Sequence, residues 1–226
     1  MPTDWNEKNE EFVRWLQQAL GIDADGKAGS GTKEAVRAAL DLSEEKPAEA
    51  PEGDIPRVVV PGYKQFLPPY KEAHIGNAPA LDTIGQSGCG VCALSDLISI
   101  VGTVDDDLDI DPLNISVLIN QKNGFTDESL LRWERVCDVL GDVCGGEWEY
   151  HKVPYELNRC VGLLAEGVYP IIRVKRGHFV VAIGYEDGKV IIADPGTGDH
   201  HEGSDTLEGP PKNYRPTQLR ILRQVA

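Results

Sequence analysis

A small helical module, tethered by an acidic segment to a larger α+β domain, is the architecture that this sequence predicts. Three observations carry that reading. Helix-period apolar patterns dominate the chain up to residue 166, and three short apolar runs then crowd into residues 169–194. Between the first 42 residues and the rest lies SEEKPAEAPEGDIP, residues 43–56, with five acidic groups, three prolines and almost nothing to bury. A segment of that kind cannot repay its ordering entropy, so it reads as an extended linker.

Upstream of the linker, Phe12, Trp15, Leu16, Ala19 and Leu20 recur at helical spacing, and Gly21 is placed to end the helix. The turn-rich DADGKAGSG follows. A second amphipathic helix is expected from Thr32 to Leu42, carrying Ala35, Val36, Ala39 and Leu40. The plainest use of such a hairpin is as a spacer.

The larger region opens with RVVVPG, which reads as a strand, and continues through the turn-rich 64–88. In CGVCALSDLISIV, residues 89–101, the apolar positions Val91, Leu94, Leu97, Ile98 and Val101 follow a helix period. Further helices are expected over 113–121, 128–140 and 155–166. Strands are expected at 169–174, 178–185 and 189–194, with Glu186-Asp187-Gly188 turning the last two into a hairpin. Trp133 and Trp148 read as core or groove-lining aromatics.

Composition narrows the function classes. The chain has 226 residues, with 37 acidic against 22 basic side chains and a formal charge of −15. Both sides of the linker are acidic, which argues against binding nucleic acid or an anionic membrane through bulk charge. No apolar run is long enough to span a bilayer. The start, MPTDWNEKNE, has neither the basic nor the apolar region of a secretory signal, so residence in a cytoplasm is expected. Five cysteines, an odd number, leave at least one thiol free.

Cysteine nucleophilic catalysis needs a thiolate, an adjacent imidazole and a group that orients the imidazole. Cys89 follows Gly-Gln-Ser-Gly and opens a helical pattern, where orphan N–H groups and the helix dipole favour an anion. His178 starts one expected strand and Asp194 ends the next, so the hairpin should fold them together. Cys92 completes a C-x-x-C with Cys89, but no second such pair exists to complete a zinc site, and Cys92 falls on the interior stripe of its helix. No metal or cofactor is expected.

Two resemblances sharpen these readings. WLQQALGIDADGKAGSGTKEAVRAAL resembles the peptidoglycan-binding domain found at the ends of many cell-wall hydrolases. Leu16, Gln17, Leu20, Gly21, Asp25, Gly26, Gly29, Thr32, Ala35 and Val36 fit its pattern, whereas the usual Phe-Gln after the last helix is Ala39-Leu40 here. The resemblance implies wall binding by an all-α domain over residues 1–42, with Gln17, Asp25, Gly26, Gly29 and Thr32 as candidate binding residues.

TIGQSGCGVCAL, LAEGVYPIIRV and GHFVVAIGYEDGKVIIADPGTG resemble papain-like cysteine peptidases related to the bacteriocin-processing (double-glycine leader) peptidases, in the variant used by phage and bacterial wall lysins. For residues 57–226 this implies a papain-like domain, with helices packed on an antiparallel sheet. The resemblance implies Cys89 as nucleophile, His178 as base and Asp194 as its orienting partner. A glutamine amide should stabilise the oxyanion. Gln65 resembles the family's glutamine in local pattern, Gln86 lies three residues before the cysteine, and neither matches the family's spacing, so both stay candidates.

Together the resemblances imply a monomeric, endolysin-type peptidoglycan hydrolase that cuts wall amide bonds after release from a host cytoplasm, with no nucleic-acid or membrane partner. The alternatives are a cytoplasmic cysteine peptidase acting on a peptide or protein, and an inactive wall-binding phage protein.

Overall fold

The computed structural model describes residues 3–19, 23–27, 29, 32, 53–196, 205–207 and 214–225. The chain divides into two compact units, residues 1–48 and 49–226. The division falls inside the expected linker, but the linker's last residues already belong to the larger unit. Ile55 exchanges backbone hydrogen bonds with Tyr185, at 2.7 and 2.9 Å.

In the first unit a helix, α1, runs over Thr3–Ala19. Phe12 and Trp15, two of the apolar residues at helical spacing, are 58% and 62% exposed, and their rings stack at 6.0 Å. The interior position on this helix is taken by Gln17. The second expected helix lies outside the described residues except for the helical Thr32, and Leu20 and Gly21 lie outside them as well.

The second unit mixes helices with an antiparallel sheet. A single helical turn, α2 (Ile84–Ser87), leads into α3 (Cys89–Val101), followed by α4 (Pro112–Gln121) and α5 (Trp133–Cys144). Then come β1 (Glu147–Pro154), α6 (Leu157–Ala165), β2 (Ile171–Val174), β3 (Phe179–Glu186), β4 (Lys189–Ala193), β5 (Asp205–Thr206) and β6 (Pro216–Val225). Among the described residues these strands form one sheet in the order β1-β6-β2-β3-β4-β5, antiparallel at every pairing.

The apolar runs of β3 and β4 are explained by cores on both sheet faces. Val181, Ile183, Ile191 and Ala193 pack with α3, α4 and α5. The alternate residues Val180, Ala182, Val190 and Ile192 pack with Cys160, Leu163 and Leu164 of α6. A strand buried on both faces has no polar side to alternate with, so it reads as a continuous hydrophobic run.

Three expectations need correction. RVVVPG is not a ladder strand. Its backbone lies along the part of β3 beyond the pairing with β2, where Val58 N–H donates to the Ile183 carbonyl at 2.9 Å. Gly184 makes that approach possible, since a Cβ there would sit 2.6 Å from Arg57 Cα. Second, α5 starts at Trp133 rather than 128. Thr126 Oγ1 accepts the Leu130 N–H at 3.1 Å and Ser129 takes a positive φ of 60°, so residues 126–131 close a turn instead. Third, β1 and β6 were not expected as strands. The two form an eight-pair ladder from Glu147↔Val225 to Pro154↔Gln218. No helix among the described residues is long and apolar enough to cross a membrane.

Leu94 is fully buried on α3, in the core between that helix and the sheet. Leu94→Ala is expected to cost about 2–5 kcal/mol in denaturant unfolding, the usual range for a cavity in a packed core. A loss below about 1 kcal/mol would contradict this packing.

Candidate active site

The fold gathers Cys89, His178, Gln65 and Gln86 around one cleft of about 380 Å³. Cys89 is the first residue of α3, directly after Gly88, where α2 turns into α3. That junction is tight: a Cβ on Gly88 would lie 2.5 Å from the Ile84 carbonyl oxygen. Glycine therefore lets the two helical pieces meet and presents the cysteine at a helix start.

His178 and Asp194 come together through the β3–β4 hairpin, which turns at Asp187 and Gly188, both at positive φ (50° and 74°). His178 immediately precedes β3 and Asp194 immediately follows β4. His178 Nε2 lies 2.6 Å from Asp194 Oδ1. Gly196 donates its N–H to the same oxygen at 2.7 Å, and a Cβ at that position would stand 3.0 Å from the imidazole. The Tyr214 hydroxyl donates to the other carboxylate oxygen.

Charge follows from these contacts. Burial alone would push the Asp194 carboxyl up, but the hydrogen bond and charge of His178, the Tyr214 hydroxyl and the Gly196 N–H hold it well below the usual carboxylate range. An ionised carboxylate only accepts, so Nε2 carries the proton. That leaves Nδ1 for the Cys89 thiol, which is within hydrogen-bonding reach of the imidazole. Burial by itself pulls the His178 pKa down; hydrogen bonds to Asp194 and Cys89, with their negative charges, outweigh it and lift the pKa to about 9. Such an arrangement can hold a thiolate beside an imidazolium.

Other thiols differ. No disulfide joins any of the five cysteines. Burial pushes the Cys92 thiol well up, and Cys137 and Cys144 up to about 11 each. Cys92 is fully buried, in keeping with its interior position on the helix. Among the described residues no cluster of three or more His, Cys, Asp or Glu side chains could hold a metal ion.

The two glutamines are used differently. Gln86 caps the turn that leads to the cysteine, its Oε1 accepting the Thr83 N–H at 2.9 Å and the Thr83 hydroxyl at 3.1 Å. Gln65 is buried, its Nε2 donates to the Gly85 carbonyl at 3.1 Å, and its Oε1 has no hydrogen-bond partner. The rest of the cleft wall is largely apolar, with Phe66, Leu130, Leu131 and Phe179.

The candidate wall-binding residues lie in the other unit, and there Gln17 organises the loop. Its Nε2 donates to Asp25 Oδ1 (2.8 Å), the Lys27 carbonyl (3.1 Å) and Thr32 Oγ1 (2.8 Å), while its Oε1 accepts the Gly26 N–H at 2.9 Å. Gln17, Gly26 and Thr32 are buried, whereas Asp25 and Gly29 are exposed. The polar groups of Gln17 and Thr32 are thus engaged in holding the loop.

Comparison of the chain with protein-family models, curated protein sequences and solved structures returned no significant match. Sequence reasoning missed Tyr214, whose only signal is an aromatic residue far along the chain from Asp194. Lys64 was also missed; it is buried and donates from Nζ to the Asp194 backbone carbonyl at 2.8 Å.

An NMR titration of the His178 C2 proton is expected to give a pKa near 9. The stability that the His178 pair contributes is then fully present below the ordinary value of 6.5 and is lost as pH rises through about 9. Asp194→Asn removes the main raising partner and should lower the midpoint by about 1–3 units. An unchanged midpoint would show that Asp194 does not govern this imidazole.

Proposed function

We propose that residues 49–226 form a papain-like cysteine peptidase domain, and that the protein is an endolysin-type peptidoglycan hydrolase cutting amide bonds of the wall peptide. The observation that carries this reading is a cysteine at a helix start, within reach of an imidazole whose far nitrogen is held at 2.6 Å by a buried carboxylate. That juxtaposition supports the reading because thiol nucleophilic catalysis needs a thiol, an adjacent imidazole and a group that orients the imidazole.

In this mechanism the Cys89 thiolate attacks the amide carbonyl carbon, and the carbonyl electron pair moves to oxygen. The Cys89 N–H and the Gln65 amide hold that oxyanion. Gln65 is favoured over Gln86 on its family-like local pattern, and its Nε2 keeps a second N–H beyond the one given to the Gly85 carbonyl. The imidazolium of His178 gives its Nδ1 proton to the leaving amine as the C–N bond breaks, which leaves a thioester on Cys89. Water then attacks the thioester, His178 Nδ1 takes its proton, and the acid product departs with the thiol regenerated. Asp194 keeps the imidazole in the productive tautomer throughout.

The N-terminal unit supplies attachment to the wall in this account. Tethering raises the effective concentration of the cutting domain at its substrate without adding an active-site contact. With a formal charge of −15 on the chain, bulk attraction to an anionic wall does not help, so shape and hydrogen bonding in residues 1–42 must provide affinity.

The test is clearing of purified peptidoglycan. Cys89→Ala and His178→Ala are each expected to lower the rate by at least about 10³-fold while binding to the wall survives. Removal of residues 1–42 should cost far more on intact wall than on soluble muropeptides. Parent-like clearing by Cys89→Ala would refute the mechanism.

A further inference from the structure

We propose that Asp96 is a positioning residue for the reaction described above: it clamps the turn Gly62–Gln65 onto the helix of Cys89 and thereby fixes the Gln65 amide in the cleft. The inference rests on the hydrolase reading for its chemistry and on the following contacts for its geometry.

Asp96 lies seven residues beyond Cys89 on α3, two helical turns along the same face. Its side chain is fully buried. Oδ1 accepts the Gly62 N–H at 2.8 Å and the Tyr63 N–H at 3.4 Å, while Oδ2 is buried with no hydrogen-bond partner. The next two residues are also fastened. Lys64 Nζ donates to the Asp194 carbonyl at 2.8 Å, and Gln65 N–H donates to the Pro195 carbonyl at 3.1 Å. One short turn is therefore stitched to the helix that carries the nucleophile and to the chain that carries the orienting carboxylate. Gln65 is its last residue, and its side chain reaches the Gly85 carbonyl at 3.1 Å.

A buried carboxyl with one orphan oxygen is an expensive way to hold a turn. Burial pushes the Asp96 carboxyl up to about 7, against the Gly62 and Tyr63 N–H groups and the Lys64 ammonium, which favour its ionised form. Of the other titratable groups facing it, the Tyr63 hydroxyl and the Cys92 thiol are both pushed up in part by its charge. Folding thus prefers the protonated carboxyl, and that stability is lost as pH rises from the ordinary value of 3.8 through about 7. In the ionised form the hydrogen bonds to Gly62 and Tyr63 are charge-assisted and stronger, so the clamp tightens where the fold as a whole is taxed.

The test is Asp96→Asn in the full chain, which keeps size and shape and removes the charge. Amide hydrogen exchange at Gly62 and Tyr63 should quicken about fivefold at pH 8, while the His178 titration stays near 9. On soluble muropeptides kcat should fall roughly tenfold with KM unchanged, and on a Gln65→Ala background the same substitution should change kcat less than about twofold. The Tm of the variant relative to the parent should rise between pH 5 and pH 8, since the variant lacks the buried carboxyl that ionises there, while the kcat coupling to Gln65 separates positioning from a purely structural role. Protection at Gly62 and Tyr63 equal to the parent's would overturn the clamp, whatever the activity. An equal loss of kcat with and without Gln65 would overturn positioning through that residue. A parent without activity on muropeptides would instead sink the hydrolase reading, leaving the clamp to be judged by exchange alone.

Discussion

The 2.6 Å hydrogen bond between His178 and Asp194 is the contact on which the candidate site depends. It forms only because a two-residue turn folds β3 against β4 and because both strands are buried on both faces, which leaves the hairpin no freedom to slip. A one-residue slip would send every buried side chain of β4 to the wrong face. The ladder also shifts register once, between Ala182 and Gly184, where the backbone of residues 55–58 lies against β3. The cores on the two sides of the sheet therefore fix the pairing of imidazole and carboxylate as firmly as the local hydrogen bonds do.

Around that bond the molecule keeps a buried carboxylate ionised by surrounding it with donors. His178, Gly196 and Tyr214 all reach the Asp194 side chain, and Lys64 holds its backbone carbonyl. Removing any donor to a buried charge leaves part of its desolvation cost unmet. The consequence passes to the imidazole, which keeps its proton to higher pH and can stand as the cationic partner of a thiolate. Cys92, Cys137 and Cys144, pushed up by burial, lack such a partner and remain neutral thiols.

Much of this was legible in the sequence, and the illegible part has physical causes. Cys89 at the start of a periodic apolar run, and a histidine and an aspartate at the outer ends of two apolar runs joined by Asp-Gly, state a helix start and a hairpin directly. By contrast, β1 reads EWEYHKVP and stays exposed or half-exposed along its length, so no clean apolar face marks it. β6 carries Arg220 and Arg223 among its apolar residues, and Arg220 lies over the rings of Trp133 and Tyr150. Only the tertiary fold reveals such a partner. Tyr214 and Asp96 illustrate the same limit, because their importance lies in what they touch across 20 and 34 residues of chain. Gln65 and Gln86 both line the cleft, and spacing does not encode that Gln86 Oε1 caps α2 while Gln65 Nε2 reaches Gly85. On α1 the apolar periodicity does mark a helix, but Phe12 and Trp15 are exposed and Gln17, hydrogen-bonded to the loop, is buried.

Selective alkylation tests the account most directly, because it reads the cysteine–imidazole pair without assuming any substrate. Under limiting iodoacetamide at pH 7, peptide mapping by mass spectrometry should find Cys89 modified at least about tenfold faster than Cys92, Cys137, Cys144 and Cys160. His178→Ala should erase most of that advantage. Uniformly slow labelling of all five thiols, or a fast Cys89 that is indifferent to loss of His178, would contradict an activated nucleophile at this site.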